Sequence, residues 1–139
     1  MKKRILVISF VLLFVVIAVA AFLYSADYIG RRPFKNLDAA SIESASVFAS
    51  PPQTTAAIND QDTITALVDI LRRVTIYKQD DSGREMSGQL VRYTITLKTG
   101  ETYEIGAFGS FMYVGDVCYK AKYGPSEELN ALGNRIIKQ

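Results

Sequence analysis

The chain has no histidine, no tryptophan and a single cysteine among its 139 residues. Without histidine there is no Ser-His-Asp or Cys-His nucleophile system and no His-ligated zinc or iron site. One cysteine closes no intramolecular disulfide and builds neither a Cys-rich zinc site nor an iron–sulfur cluster. Phosphate-cradling glycine motifs are missing too: there is no G-x-G-x-x-G and no Walker sequence. Ser-x-x-Lys and Gly-x-Ser-x-Gly are equally missing, so Ser110 and Ser126 stand outside any known nucleophile motif. A basic patch is also lacking. The net charge is +2, but three of the 16 basic residues, Lys2, Lys3 and Arg4, precede an apolar run. That leaves 13 basic residues against 14 acidic ones in the rest of the chain, with Arg72-Arg73 the only basic pair in its globular part. This balance argues against a nucleic-acid partner.

What is present begins with that run. Residues 5–24 are apolar apart from Ser9 and the Tyr24 hydroxyl. As a helix they would span roughly 30 Å at about 1.5 Å per residue, the thickness of a bilayer core. Residues 1–24 therefore read as a signal anchor that contacts the lipid bilayer through residues 5–24. The alternative is a cleavable signal, with Ala18-Val19-Ala20 as the small-x-small site and a secreted product cut after Ala20. The apolar run continues past that site through Ala21, Phe22 and Leu23, which favours the anchor. Lys2-Lys3-Arg4 favours a cytoplasmic N-terminus and an extracytoplasmic C-terminal domain; Arg31, Arg32 and Lys35 on the other flank oppose it more weakly. No lipid-acceptor cysteine follows the run, since Cys118 is far downstream; it reads as a small buried strand residue, with a redox role as the sharper alternative.

Residues 25–37 form a polar juxtamembrane linker with Gly30 and Pro33, in which Phe34 and Leu37 are the first candidates to touch the domain at residues 38–139. Strand formers Ile42, Val47 and Phe48 precede Pro51-Pro52, which ends the strand. A short loop with Thr54-Thr55 and Ile58 leads to helix-start signals at Asn59, Asp60 and Asp62. Ile64, Leu67, Val68, Leu71 and Val74 recur at helical spacing, while Asp69, Arg72 and Arg73 stay off the stripe. A strand at 74–78 and a polar loop at 79–88 follow. Val91, Tyr93, Ile95 and Leu97 then alternate with Arg92, Thr94, Thr96 and Lys98, the pattern of an antiparallel strand wet on one face. Thr99-Gly100 turns the chain, Tyr103 and Ile105 return it, and residues 106–110 read as a further turn. Residues 111–114 and 117–120 flank a Gly115-Asp116 hairpin turn. Gly124-Pro125 opens a last helix with Leu129, Leu132 and Ile136 as its stripe. The order β-α-β-β-β-β-β-α predicts an α+β, two-layer domain: an antiparallel sheet of about five to six strands with two helices, behind an N-terminal transmembrane helix.

One arrangement is familiar. Ile42-x-x-Ala45-x-Val47, Pro51-Pro52, Ile64-x-x-Leu67-Val68-x-x-Leu71 and Val74-Thr75-Ile76-Tyr77 succeed one another behind the anchor. They lead into Tyr93-Thr94-Ile95-Thr96-Leu97-Lys98-Thr99-Gly100-Glu101-x-Tyr103-Glu104-Ile105 and Tyr113-Val114-Gly115-Asp116-x-x-Tyr119. This pattern resembles small, uncharacterised extracytoplasmic domains of Gram-positive bacteria that sit behind a single anchor, similar ones being appended to membrane-bound sensor proteins. The resemblance covers residues 37–139. It implies an envelope location and carries no catalytic residues.

The carboxylates have ordinary explanations beside sharper ones. Asp80-Asp81 with Glu85 offers oxygens to a hard cation, but the spacing is not that of an EF-hand, Arg84 intervenes, and a solvated turn accounts for the segment. Glu127-Glu128 suits a helix N-terminus. Glu101 and Glu104 fall on opposite faces of one hairpin, unlike a glycosidase pair, and Asp116 is a turn residue. No catalytic, cofactor or metal residue is therefore assigned. Tyr93, Tyr103, Phe108, Phe111, Tyr113, Tyr119 and Tyr123 cluster in the strand half. Tyr93, Tyr103, Phe111, Tyr113 and Tyr119 are the candidate partner-binding residues, because tyrosine offers a large contact area and a hydroxyl at low entropic cost; capping the core rim is the plainer role. Met86 in the polar loop is either a partner contact or a flexible position. The expected function is a non-catalytic binding or sensing module with a protein partner in the cell envelope, such as an accessory subunit of an envelope complex. The alternatives are a carboxylate-dependent hydrolase or metal enzyme, and a secreted inhibitor-like domain.

Overall fold

A computed structural model describes residues 1–139, the side chain of Ala26 excepted. Helix α1 covers Lys2–Tyr28 and is followed by seven strands and two further helices. The segment Lys2–Ser25 is long and apolar enough to cross a membrane, and none of it is buried against the rest of the protein. Its apolar side chains point outward all around the axis, as a lipid-facing helix requires and a core helix of a soluble domain does not.

The strands are β1 (Ile42–Ser50), β2 (Thr54–Ile58), β3 (Ile76–Gln79), β4 (Leu90–Leu97), β5 (Thr102–Phe108), β6 (Phe111–Val114) and β7 (Val117–Ala121). They make one antiparallel sheet in the order β2-β1-β4-β5-β6-β7-β3. Helix α2 (Gln61–Arg73) connects β2 to β3, and α3 (Tyr123–Ile137) follows β7. The fold is α+β, with seven strands where five to six were expected.

The extra strand is β2. Pro51-Pro52 ends β1 as expected, but with Gln53 in the left-handed region (φ 67°) it turns the chain back, and Ala49 then faces Thr54 and Val47 faces Ala56. An edge strand buries little, so Thr54–Ile58 shows no strong apolar alternation, and only Ile58 is fully buried. A second difference concerns residues 106–110. The strand runs on to Phe108 and the turn is confined to Gly109-Ser110. Gly106 is not there to bend the chain: a Cβ on it would lie 3.1 Å from the Tyr113 Cβ and 3.2 Å from Leu90, so glycine makes room for the neighbouring strand's tyrosine.

Alternation decides the faces. Val47, Tyr93 and Ile105 stand opposite one another across β1, β4 and β5, all fully buried, and Val91, Ile95, Ala107 and Met112 continue this inner face. Helix α3 lies across it, touching β1, β2, β4, β5 and β6, and α2 packs beside α3. Leu67, Val68 and Leu71 of α2 and Leu129 of α3 complete the core. Each such side chain contributes roughly 1.5–3 kcal/mol by burial. Asp60 caps α2, its carboxylate accepting from the Thr63 N–H at 2.9 Å and from the Thr63 hydroxyl at 2.7 Å. These contacts hold the Asp60 carboxyl below its ordinary range.

The juxtamembrane segment is built into the domain. Arg31 exchanges backbone hydrogen bonds with Ile76 at 2.8 and 2.9 Å, covering the outer edge of β3. Gly30, at φ +83°, lets the chain pass against Thr75 and Tyr77. Phe34 and Leu37 are 4% and 8% exposed, and the Phe34 ring meets Tyr103 edge-on with centroids 5.8 Å apart.

Candidate functional site

The five aromatic candidates do not form one surface. Tyr93 is fully buried beneath α3 and donates its hydroxyl to the Leu129 carbonyl at 2.6 Å. Burial pushes its phenol well above the ordinary 10.0, the Gly133 backbone opposing. Phe111 is also buried, because a 3-10 turn at Asp81–Glu85 folds over it: a Cβ on Gly83 would stand 2.7 Å from the Phe111 ring and 3.0 Å from the Cys118 sulfur. These two side chains are core, and the expectation that they line a partner surface is corrected. Tyr103 is half-buried on the inner face beside Phe34; a hydrogen bond with Glu101 raises its phenol pKa, and burial adds to the shift. Tyr119, also half-buried against the core, lies under the Arg31 guanidinium, 5.1 Å from the ring centroid. Only Tyr113 is half-exposed on the outer face. Period-two alternation marked Tyr93 as inward in the sequence itself. Phe111 gave no such signal, because its cover comes from a polar loop distant in sequence.

Over β1, β4 and β5 the outer face of the sheet carries no helix, while the 3-10 turn at Asp81–Glu85 covers part of β6 and β7. Phe48, Arg92, Thr94, Thr96 and Tyr113 stand on it partly exposed. At one end the 81–88 loop and the sheet enclose a cleft of about 260 Å³. Leu90 and Phe108 give it an apolar floor, Met86 stands 57% exposed at its edge, and Ser50, Arg84 and Tyr113 supply the polar groups. Arg84 is fixed from three sides. Its Nε bonds the Asp81 carboxylate at 3.1 Å, its Nη2 donates to the Asp116 carbonyl, and its guanidinium lies 5.5 Å from the Tyr113 ring centroid. Asp80 accepts from the Ser82 N–H at 3.0 Å and the Ser82 hydroxyl at 2.6 Å, which lowers its pKa. The polar loop is thus an ordered wall. Sequence reading took Arg84 only as an obstacle to cation binding; its role as the staple between loop and hairpin depends on the β6–β7 turn, 32 residues away.

Several of the carboxylates weighed for chemistry have structural partners. Asp81 holds Arg84, Glu104 faces Arg92 at 3.7 Å, and Glu128 makes a two-pronged pair with Arg73 at 2.7 and 2.6 Å. Among the described residues no three His, Cys, Asp or Glu side chains converge as a metal site. Cys118 is fully buried behind Gly83, and burial pushes its thiol above the ordinary 9.0, the hydrogen bond with Tyr113 opposing. A raised thiol pKa disfavours the thiolate, the reactive form. The cleft can therefore grip an apolar side chain or a small amphiphile while Arg84, Tyr113 and Ser50 orient its polar end.

No family model matches the chain, and no curated protein or solved structure matches it significantly.

Proposed function

We propose that the protein is a membrane-anchored, non-catalytic binding or sensing module whose α+β domain stands outside the cell membrane and engages a partner protein in the envelope. The observation that carries this reading is the open outer face of β1, β4 and β5, with its ordered cleft and the exposed Met86 at the rim. A side chain as apolar as Met86 left exposed beside a preformed cleft suits an anchor contact for a partner. Binding is favoured over hydrolysis because Asp80 and Asp81, in the loop that walls the cleft, are engaged in holding that loop. An uncleaved anchor is supported by α1 running unbroken through Ala20 to Tyr28 and by the tie of Arg31 to β3. Export is supported by the Lys2-Lys3-Arg4 tag. The envelope location accords with the resemblance to extracytoplasmic domains, and an accessory subunit of an envelope complex is the form of this function we favour.

The test is site-specific photocrosslinking in intact cells. A photoreactive residue replaces Met86 in the full-length chain, with one at exposed Thr65 on α2 as the comparison. A discrete protein adduct from position 86 and none from 65 is expected. No adduct from 86, or the same adducts from both, would overturn the reading.

A further inference from the structure

A second pocket, away from the outer cleft, opens beside the start of α3. It has a volume of about 480 Å³ and is lined by Arg32, Arg73, Thr75, Lys122 and Glu128, closed by the first turn of α3. Its charge is unbalanced: three cations face one carboxylate. Arg73 and Glu128 neutralise each other in their two-pronged contact. Arg32 turns its Nε and Nη2 to the Arg72 carbonyl, a neutral acceptor, so among the described residues its charge has no counterion and three of its five N–H donors stay free. Lys122 makes no ion pair or side-chain hydrogen bond among the described residues, and its backbone is held by the Thr75 carbonyl at 2.9 Å. No local pattern marks this cluster, because its members come from the juxtamembrane segment, the end of α2 and the β7–α3 junction.

We propose that this pocket binds a phosphate group or a comparable oxyanion, held between the Arg32 guanidinium and the Lys122 ammonium with the Thr75 hydroxyl beside them. Arginine suits the planar, forked recognition of phosphate oxygens and lysine adds a point charge. The two unpaired cations carry the assignment; the end of a helix by itself does not make a site. Position bears on the source of the phosphate. In an upright α1, residues 25–28 rise about 6 Å beyond the apolar run, which crosses an interfacial layer of about 5–7 Å per leaflet. Arg32 lies up to about 14 Å of chain farther on. That reach favours a phosphate presented from the aqueous side over a lipid headgroup.

Full-length protein in zwitterionic nanodiscs is titrated with inorganic phosphate, and the backbone amide resonances of residues 122–124 and 126–128 are followed. Saturable shifts confined to this region are expected, absent with sodium chloride at matched ionic strength. Lys122→Gln should weaken the apparent affinity about tenfold, the size of one lost charge-assisted contact, and Lys122→Glu should abolish the shifts. Lys98→Gln, in the β4–β5 turn, should change nothing. Because Lys122 makes no side-chain bond, its variants keep the fold even where an Arg32 variant does not. A second arm adds an anionic phospholipid to the discs: competition with inorganic phosphate would assign the site to headgroups, and no competition to aqueous phosphate. Non-saturating shifts, no shifts in either arm, or unaltered binding by Lys122→Glu would overturn the proposal.

Discussion

Gly133 is where α3 comes closest to the sheet, and replacing it with alanine tests the packing directly. A Cβ there would sit 2.4 Å from Val91 Cγ1 and 3.1 Å from both Val47 Cγ2 and the Tyr93 hydroxyl oxygen. All three neighbours are fully buried on central strands. Two are valines, whose single stiff χ1 leaves them no easy retreat, so α3 itself must move outward. Overpacking of this kind costs about 1–3 kcal/mol, and the short contact to Val91 places it near the top of that range. Lifting α3 also lengthens the 2.6 Å hydrogen bond from Tyr93 to Leu129, a loss of about 1 kcal/mol. Alanine regains about 1 kcal/mol of helix propensity. The net is a destabilisation of about 2–3 kcal/mol. Urea unfolding of the full-length protein in nanodiscs, followed by tyrosine fluorescence, would show a midpoint lower by about 1 M for an m-value of about 2–3 kcal/mol per molar. A Gly133→Ala midpoint equal to or above the parent's would mean that α3 does not seat on the sheet in this way.

Three further outcomes follow from the same contacts. The Tyr93 phenol keeps its proton in the folded protein above pH 10.0, where an unfolded chain releases it. Stability is thus complete below about pH 10 and falls as the pH rises, by at most about 1.4 kcal/mol per pH unit from this group; in an alkaline unfolding series, Tyr93→Phe should show a shallower decline. Asp60 has a depressed pKa, so its contribution is present above the ordinary value of 3.8 and disappears as the pH falls through the lower folded value. Asp60→Ala should accordingly melt below the parent at neutral pH, and the gap should close in strong acid. Gly83→Ala drives a Cβ into Phe111 and Cys118; it should lift the loop and turn Cys118 from inert to reactive toward a thiol reagent, with the rest of the fold unchanged by amide exchange.

Regular periodicity made most of the fold legible. The alternation through Val91, Tyr93, Ile95 and Leu97, the α2 stripe and the Gly115-Asp116 hairpin all have local causes, and all appear where the pattern places them. β2 escaped because an edge strand needs no buried face, and the end of β5 was misread because Gly106 is a packing glycine with the appearance of a turn glycine. The tyrosine cluster was visible as composition, but composition does not sort faces: Tyr93 and Phe111 went to the core and only Tyr113 reached the open cleft. The cleft's wall depends on Arg84 finding Asp81 and the Asp116 carbonyl, and the basic pocket on Arg32 and Lys122 lining one recess. Both are tertiary arrangements with no local signature.

The central claim is that the folded domain stands outside the membrane behind an inserted anchor. It is tested by labelling intact cells with a membrane-impermeant maleimide. Native Cys118 is fully buried and gives little background, and Lys98→Cys places a thiol in the exposed β4–β5 turn. Labelling of the full-length Lys98→Cys protein in intact cells, on a chain that stays with the membrane fraction through alkaline extraction, is the predicted result. Labelling only after lysis would contradict the account.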